Sequence, residues 1–408
     1  MVALLALALL VPATAHAAIP TDPEFTVGGQ LPPWAKAINW EPSDPNVGWP
    51  AIAIVDSGMW AGFNDFAGYV DGESADCTHG PARAIGTASE VNDVDAHGTR
   101  VATLAAAPAN GVGSVGVSPD SPMIVIRFFT KGGPFNAPCA FKYLTAIAEQ
   151  QPLVVNLSFT MDSTTPGARL WLDRLVRAGA LVVAASGNFR SLTPGWPASE
   201  SHVLAVGRSD GDASKSAGGT KLDLVAPGGG LRLPDLTPNS WHTGTDEGTS
   251  FATPIVAGVA ARVWGSYGDV TDPQVIAYLM RKTAKRLGGK AFTSRFGFGL
   301  VDLRAATRVP ASQVPQTDEL EPDDRPSQAA TAVACRSACR LHGIVASSDD
   351  PIDYFRIRRS RCPRGKLRIV SGKGSVTAAC VRPRGRTYIK VRVRKNRQQA
   401  YTISVPRR

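Results

Sequence analysis

Short, nearly continuous apolar runs alternate with helix-patterned segments across residues 49–309, and this alternation constrains the fold more than any other feature. Ala51 to Val55, Met123 to Phe129, Leu153 to Phe159, Leu181 to Ala185, Val203 to Gly207 and Leu222 to Ala226 read as strands. Each has Gly, Asn, Asp or Pro at or near its ends. Thr99 to Ala107, Cys139 to Gln150, Arg169 to Ala178 and Thr249 to Tyr267 read as helices. A strand that is apolar along its whole length has two faces to cover. The pattern therefore predicts an α/β fold, with a mostly parallel sheet between helical layers. Chemistry in such a sheet is expected at the carboxyl ends of its strands.

The period changes after residue 309. Phe355 and Ile357 alternate with Arg356 and Arg358, Leu367 and Ile369 with Arg368, and Ile389, Val391 and Val393 with Lys390, Arg392 and Arg394. A period of two over short segments predicts a small all-β sandwich as a C-terminal domain. Charge divides at the same place: residues 1–309 carry 23 Lys or Arg against 26 Asp or Glu, and residues 310–408 carry 21 against 8. The resulting −3 and +13 give the chain its +10. Val309 to Pro326, rich in Pro, Asp and Glu, has the composition of a linker. The expected organisation is a signal peptide over 1–18, an N-terminal extension over 19–48, the α/β domain over 49–309, a linker over 310–319 and the β-domain over 320–408.

Val2 to Val11 is almost entirely apolar and precedes Ala15-His16-Ala17, a small-x-small cleavage pattern. The run is too short to span a bilayer, and no later segment is long and apolar enough to anchor the chain. A secreted protein, extracellular or held at the cell envelope, is expected. No Lys or Arg precedes the run, which leaves open a true start upstream of Met1. Six cysteines suit an oxidising destination. They allow fifteen pairings; pairing within domains is simplest and favours Cys77 with Cys139. Zinc is the rival reading for Cys335, Cys339, Cys362 and Cys380, although their spacing lacks paired C-x-x-C knuckles.

Three segments carry candidate chemistry. Asp56 ends the first apolar strand, where a carboxylate can orient a histidine and stabilise its imidazolium form. His97 lies in Asp95-Ala96-His97-Gly98-Thr99, at the entry to a small-residue helix. Ser250 lies in Gly248-Thr249-Ser250-Phe251-Ala252-Thr253-Pro254 and opens another helix. A serine hydroxyl is a poor nucleophile until an adjacent base takes its proton, and His97 is the expected base. Singly, each residue has a plainer reading: Asp56 as a turn former, His97 as a helix-start residue, Ser250 as an N-cap. Unconnected turn residues would not produce the three segments together and in order. His79, His202 and His242 lack such context and read as surface or structural residues.

The three segments resemble the signatures of the subtilisin-like serine proteases, the subtilases of peptidase S8 type, over about Trp34 to Ala306. Gly58 after Asp56, His97-Gly98-Thr99, and Gly248-Thr249-Ser250 with Ala252-Thr253-Pro254 match in kind and in order. The resemblance implies a subtilisin-like three-layer fold and a serine endopeptidase acting through an acyl-enzyme. Asp56, His97 and Ser250 would form its triad, with no cofactor required for chemistry. Ser186-Gly187-Asn188 falls where the family carries its oxyanion-hole asparagine, making Asn188 one donor and the Ser250 backbone N–H the other. Leu157-Ser158-Phe159 falls where the family pairs extended peptide substrates with a strand edge. The chain departs from the common pattern at Phe159-Thr160, in place of Leu-Gly, a bulkier rim able to narrow the first pocket. It departs again at Phe251, where Met is usual, and at Ile255, where His is frequent. Ile19 to about Gly48 is shorter than the family's usual inhibitory propeptide, so either the protein folds without one or its start lies upstream.

Glu321-Pro322-Asp323-Asp324, Pro326-Ser327-Gln328-Ala329, Gly343, and Asp349-Asp350 with Asp353-Tyr354-Phe355 resemble the bacterial pre-peptidase C-terminal domain, over about Leu320 to Val405. Some relatives bind calcium. Asp323, Asp349, Asp350 and Asp353 offer hard oxygen ligands for a structural calcium ion, against the plainer reading of acidic turn residues. From Tyr354 to Arg408 there are 18 Lys or Arg and no Asp or Glu. An anionic cell-envelope polymer is therefore an expected partner beside protein and peptide substrates. No nucleic-acid motif or stacking-aromatic pattern accompanies the charge, so DNA and RNA are not expected partners, and a monomer is. The rival functions are a catalytically inactive subtilase-fold protein and a polyanion-binding protein led by the basic domain.

Overall fold

The computed structural model describes residues 18–315, with short internal gaps, and six strands between Cys339 and Val405. Before residue 310 the strands are β1 (Ala51–Asp56), β2 (Ala75–Asp76), β3 (Arg83–Ala84), β4 (Met123–Arg127), β5 (Leu153–Leu157) and β6 (Leu181–Ala185). They continue as β7 (Val203–Arg208), β8 (Leu224–Ala226), β9 (Arg232–Pro234), β10 (Trp241–Thr243) and β11 (Gly299–Leu300). The helices are α1 (Pro33–Ala37), α2 (His97–Ala106), α3 (Ala137–Ala148), α4 (Pro166–Arg177), α5 (Thr249–Ser266), α6 (Pro273–Thr283) and α7 (Leu303–Thr307). Nine strands form one sheet in the order β11-β8-β7-β6-β5-β1-β4-β2-β3, parallel at every pairing except β2 with β3. β9 and β10 form a separate hairpin.

Alternation along β1 shows why the sheet needs two helical layers. Ile52 and Ile54 enter one core with Val101 of α2, Val256 of α5 and Ile276 of α6. Ala51, Ala53 and Val55 enter the other with Phe141 of α3 and Leu172 of α4. The result is the three-layer fold expected from the apolar runs. β4 and β5 stop two residues short of their expected ends, because Phe128 and Phe159 leave the sheet to pack ring to ring at 4.6 Å. Phe25, Trp34, Ile38 and Trp40, from the expected N-terminal extension, lie in the same core as Ile52.

α5 is the central helix. Apart from Arg262 it carries no charge, so it has no polar face and is buried nearly throughout. Arg262 Nη1 donates to the carbonyls of Glu41 and Val117 at 3.1 and 3.2 Å, which holds residues 41–42 against α5. A Cβ at Gly258 would lie 2.5 Å from Val117 Cβ and 2.9 Å from the Ala105 carbonyl oxygen. That glycine lets α5 close on α2, and so sets the spacing between the helices that begin at His97 and Thr249.

The remaining strands are β12 (Cys339–Ala346), β13 (Ile352–Arg356), β14 (Arg368–Ser371), β15 (Val376–Val381), β16 (Tyr388–Val393) and β17 (Gln398–Val405). They form two antiparallel sheets, β12-β17-β14 and β13-β16-β15, as the period of two predicts. Register pairs Arg356 with Tyr388, Tyr354 with Lys390 and Ile352 with Arg392. Arg368 belongs to the other sheet, and Arg358 and Arg394 lie outside the described residues. Asp323, Asp349, Asp350 and the cleavage pattern around Ala17 also lie outside them, and Asp353 pairs with Val391 on β13. Cys77 and Cys139 form a disulfide with their Cα atoms 5.7 Å apart. Cys380 is disulfide-bonded too, which removes it from any zinc site.

Candidate active site

β1 delivers Asp56 to the carboxyl edge of the sheet, where the residue is 1% exposed. Asp56 Oδ1 accepts hydrogen bonds from His97 Nδ1 at 2.8 Å and from the Ser57 N–H at 2.8 Å. With Nδ1 donating to the carboxylate, Nε2 is the imidazole atom left to exchange protons.

His97 is the first residue of α2, and a buried carboxylate organises the turn before it. Asp93 Oδ1 accepts from the N–H groups of Asp95 and Ala96 at 2.9 and 3.1 Å. Its Oδ2 accepts from the N–H and hydroxyl of Thr99 at 2.9 and 2.7 Å. These bonds satisfy donors that a helix start leaves unpaired, and they hold Ala96 in the left-handed region at φ 72°. The His97 side chain stays 27% exposed, and its ring lies 5.6 Å from that of Phe251. Burial works against the imidazolium, but the charge and hydrogen bond of Asp56, with Asp95 and Asp93 behind them, outweigh it. The His97 pKa is held above the ordinary histidine value.

Ser250 is the second residue of α5, and a neutral amide organises that start. Asn188 lies just past β6, and its Oδ1 accepts from the N–H and hydroxyl of Thr249 at 2.8 and 3.1 Å. Gly248, at φ 155°, permits the approach; a Cβ there would sit 2.7 Å from Asn188 Nδ2. Oδ1 is thereby committed to α5, while Nδ2 has no hydrogen-bond partner among the described residues. Pro254, inside the helix, has no N–H to give the carbonyl four residues back, which belongs to Ser250. Ser158 Oγ donates to that carbonyl at 2.8 Å instead and pins the helix start to the end of β5.

Of the residues expected from sequence, Asp56 and His97 touch, Asn188 braces the residue before Ser250, and Phe251 beside Ser250 meets the His97 ring. Leu157 is buried within β5, an interior strand, opposite Ala184. Chain free for pairing with an extended peptide therefore begins only at Ser158. Phe159 turns into a ring cluster with Phe128 and Phe135. Asp93 and Arg100 were not singled out from sequence. Arg100, one turn beyond His97, pairs with Asp246 at 2.9 Å and Asp235 at 3.5 Å, and His242 bridges the same two carboxylates at 2.7 and 2.8 Å. This group ties α2 to the β9–β10 hairpin and to the loop before Ser250. Asp235, His242 and Asp246 are near in sequence, but Arg100 is far from them, so no local pattern announces the group. Among the described residues, no three or more His, Cys, Asp or Glu side chains are grouped to hold a metal ion, and no helix is long and apolar enough to cross a membrane.

Residues 50–299 match the Subtilase family of peptidases. The chain is 31% identical over 303 residues to M-protease of Shouchella clausii (strain KSM-K16), covering 71% of this chain and 73% of that one. It is 34% identical over 219 residues to subtilisin Savinase of Lederbergia lenta, covering 53% of this chain and 79% of the relative. The fold is similar to that of sphericase, with a TM-score of 0.55 at 20% identity over 66% of this chain and 96% of that one. The molecule is a serine endopeptidase built on a three-layer α/β fold. More narrowly, it belongs to the Subtilase family.

Proposed function

We propose that Asp56, His97 and Ser250 work as a catalytic triad and that Asn188 supplies a side-chain donor to the oxyanion hole. The 2.8 Å bond between His97 Nδ1 and Asp56 Oδ1, at the sheet edge beside the start of α5, carries this reading. His97 Nε2 takes the Ser250 proton as Oγ attacks the peptide carbonyl, and Asp56 stabilises the imidazolium. Asn188 Nδ2 and the Ser250 N–H meet the negative oxygen. The imidazolium then protonates the leaving amine, and a water deprotonated by His97 releases the acyl group from Ser250. Ser250→Ala is expected to fold and to lose casein cleavage; a variant as active as the parent would refute the assignment. Secretion rests on the 1–18 pattern and the Cys77–Cys139 bridge, and the division at 310–319 rests on the changes in period and charge.

The chemistry needs no cofactor, but a structural calcium ion suits Asp65. Its buried Oδ1 has no partner among the described residues. Burial, together with the charge of Asp22, outweighs the Ser114 and Asn110 hydrogen bonds and raises its pKa from 3.8 to about 7. Because its folded pKa lies above the unfolded one, the contribution of Asp65 to stability is full below about pH 4 and is lost as pH rises towards 7, by on the order of 4 kcal/mol. A calcium ion held by Asp65 and Asp22 would keep the carboxylate ionised and remove that loss. Calcium should therefore raise the unfolding temperature more at pH 8 than at pH 5, relative to chelator; an equal effect at both would remove Asp65 from the site. The basic C-terminal strands, with 18 Lys or Arg and no Asp or Glu from Tyr354 to Arg408, are read as docking an anionic polymer. Retention on an anionic support that salt leaves unchanged would sink that reading.

A further inference from the structure

The ends of β5 and β6 lie beside Ser250 and Asn188, where the proposed reaction holds the peptide carbonyl. These strands are neighbours, with Leu157 opposite Ala184, and they continue as Ser158-Phe159-Thr160 and Ser186-Gly187-Asn188. Both continuations abut α5, one through Ser158 Oγ on the Ser250 carbonyl and the other through Asn188 on Thr249. The space between the two continuations is bounded at its far end by the Met161 N–H on the Trp196 carbonyl and the Gly195 N–H on the Ser186 carbonyl, each at 2.9 Å. Thr160, Gly187 and Gly195 therefore line it.

Two side chains already occupy this space. A Cβ at Gly187 would lie 2.4 Å from Phe189 Cε1 and 2.9 Å from its Cζ, so the ring packs directly on that backbone. A Cβ at Gly195 would lie 2.9 and 3.0 Å from Cβ and Cγ2 of Thr160, and 3.4 Å from Phe189 Cζ. The Thr160 methyl and the Phe189 ring thus converge on Gly195. Phe189 is 42% exposed, so the ring packs on this space from its solvent side.

We propose that Thr160 and Phe189 are specificity-determining residues that restrict the residue donating the cleaved carbonyl to a small side chain: Gly, Ala or Ser. Leu, Phe and Tyr are disfavoured because they must displace the ring or strain the threonine, and a packed site resists overpacking of this kind. The inference rests on the triad reading, since Ser250 and Asn188 fix where the carbonyl sits.

The test uses the purified full chain and peptides that differ only at that residue: Ala, Leu or Phe. The parent should show kcat/KM for Ala about tenfold or more above that for Phe. Thr160→Gly and Phe189→Ala should each raise the Phe-to-Ala ratio, and the double variant should raise it most. Thr160→Ala is read in the same way if either larger change fails to fold in a thermal melt. A parent that cleaves after Phe as fast as after Ala, or a ratio unmoved by the variants, overturns the proposal. Failure to cleave any peptide, with no labelling by an active-serine phosphonate, overturns the triad reading and this inference with it.

Discussion

The helices that carry the proposed base and nucleophile begin under different caps. α2 starts beneath the buried carboxylate of Asp93, which takes the N–H groups of Asp95, Ala96 and Thr99. α5 starts beneath the neutral amide of Asn188, which takes the N–H of Thr249. Both caps serve the same structural need, since each satisfies donors that a first helical turn leaves over. They differ in charge, and the difference follows the reaction. In the proposed reaction His97 gains positive charge, so a carboxylate behind it helps. The carbonyl that Ser250 is proposed to attack gains negative charge, which a carboxylate there would repel and which the helix N-terminus and an amide N–H favour.

Exchanging the charge at the nucleophile's cap should give the larger effect. Asn188→Ala is expected to lower kcat by about 10²–10³-fold, the range belonging to subtilisin's own oxyanion asparagine. Asn188→Asp keeps an acceptor for Thr249 but adds a negative charge, so it should be worse than Ala. If Asp is better tolerated than Ala, cap charge is irrelevant to the chemistry. Asp93→Asn is the smaller change. It should cost about 1–3 kcal/mol of stability through lost bonds to a charged acceptor, measured by denaturant unfolding. It also removes one of the charges holding the His97 pKa up. The base must be neutral to act, so the rise of kcat/KM with pH should move to lower pH. A move to higher pH would break the comparison.

Asp56, His97 and Ser250 could be picked out of the sequence because each lies in a short segment at the end of an apolar run or the start of a helix. Strand positions were legible for the same reason: the apolar runs of β1, β6 and β7 are local. What escaped depends on distant partners. Asn188 was expected as an oxyanion donor, but its bond to Thr249 joins residues 61 apart, and the Ser158 bond to the Ser250 carbonyl joins residues 92 apart. Asp93 acts locally, but one more aspartate in an acidic loop gives no pattern until the turn closes around it. α6 was not among the expected helices, although Asp272 caps it by accepting from the Gln274 N–H and Pro273 opens it. The bulk of Phe159-Thr160 was legible; that Phe159 turns away and the Phe189 ring packs on Gly187 was not.

Active-serine labelling tests the central claim most directly. The full chain is treated with a peptidyl phosphonate, and the adduct is located by mass spectrometry. One adduct is expected, on Ser250, and it should form far more slowly in His97→Ala because the base proposed to activate Oγ is gone. An adduct on another residue, or labelling of Ser250 at an unchanged rate in His97→Ala, would contradict it.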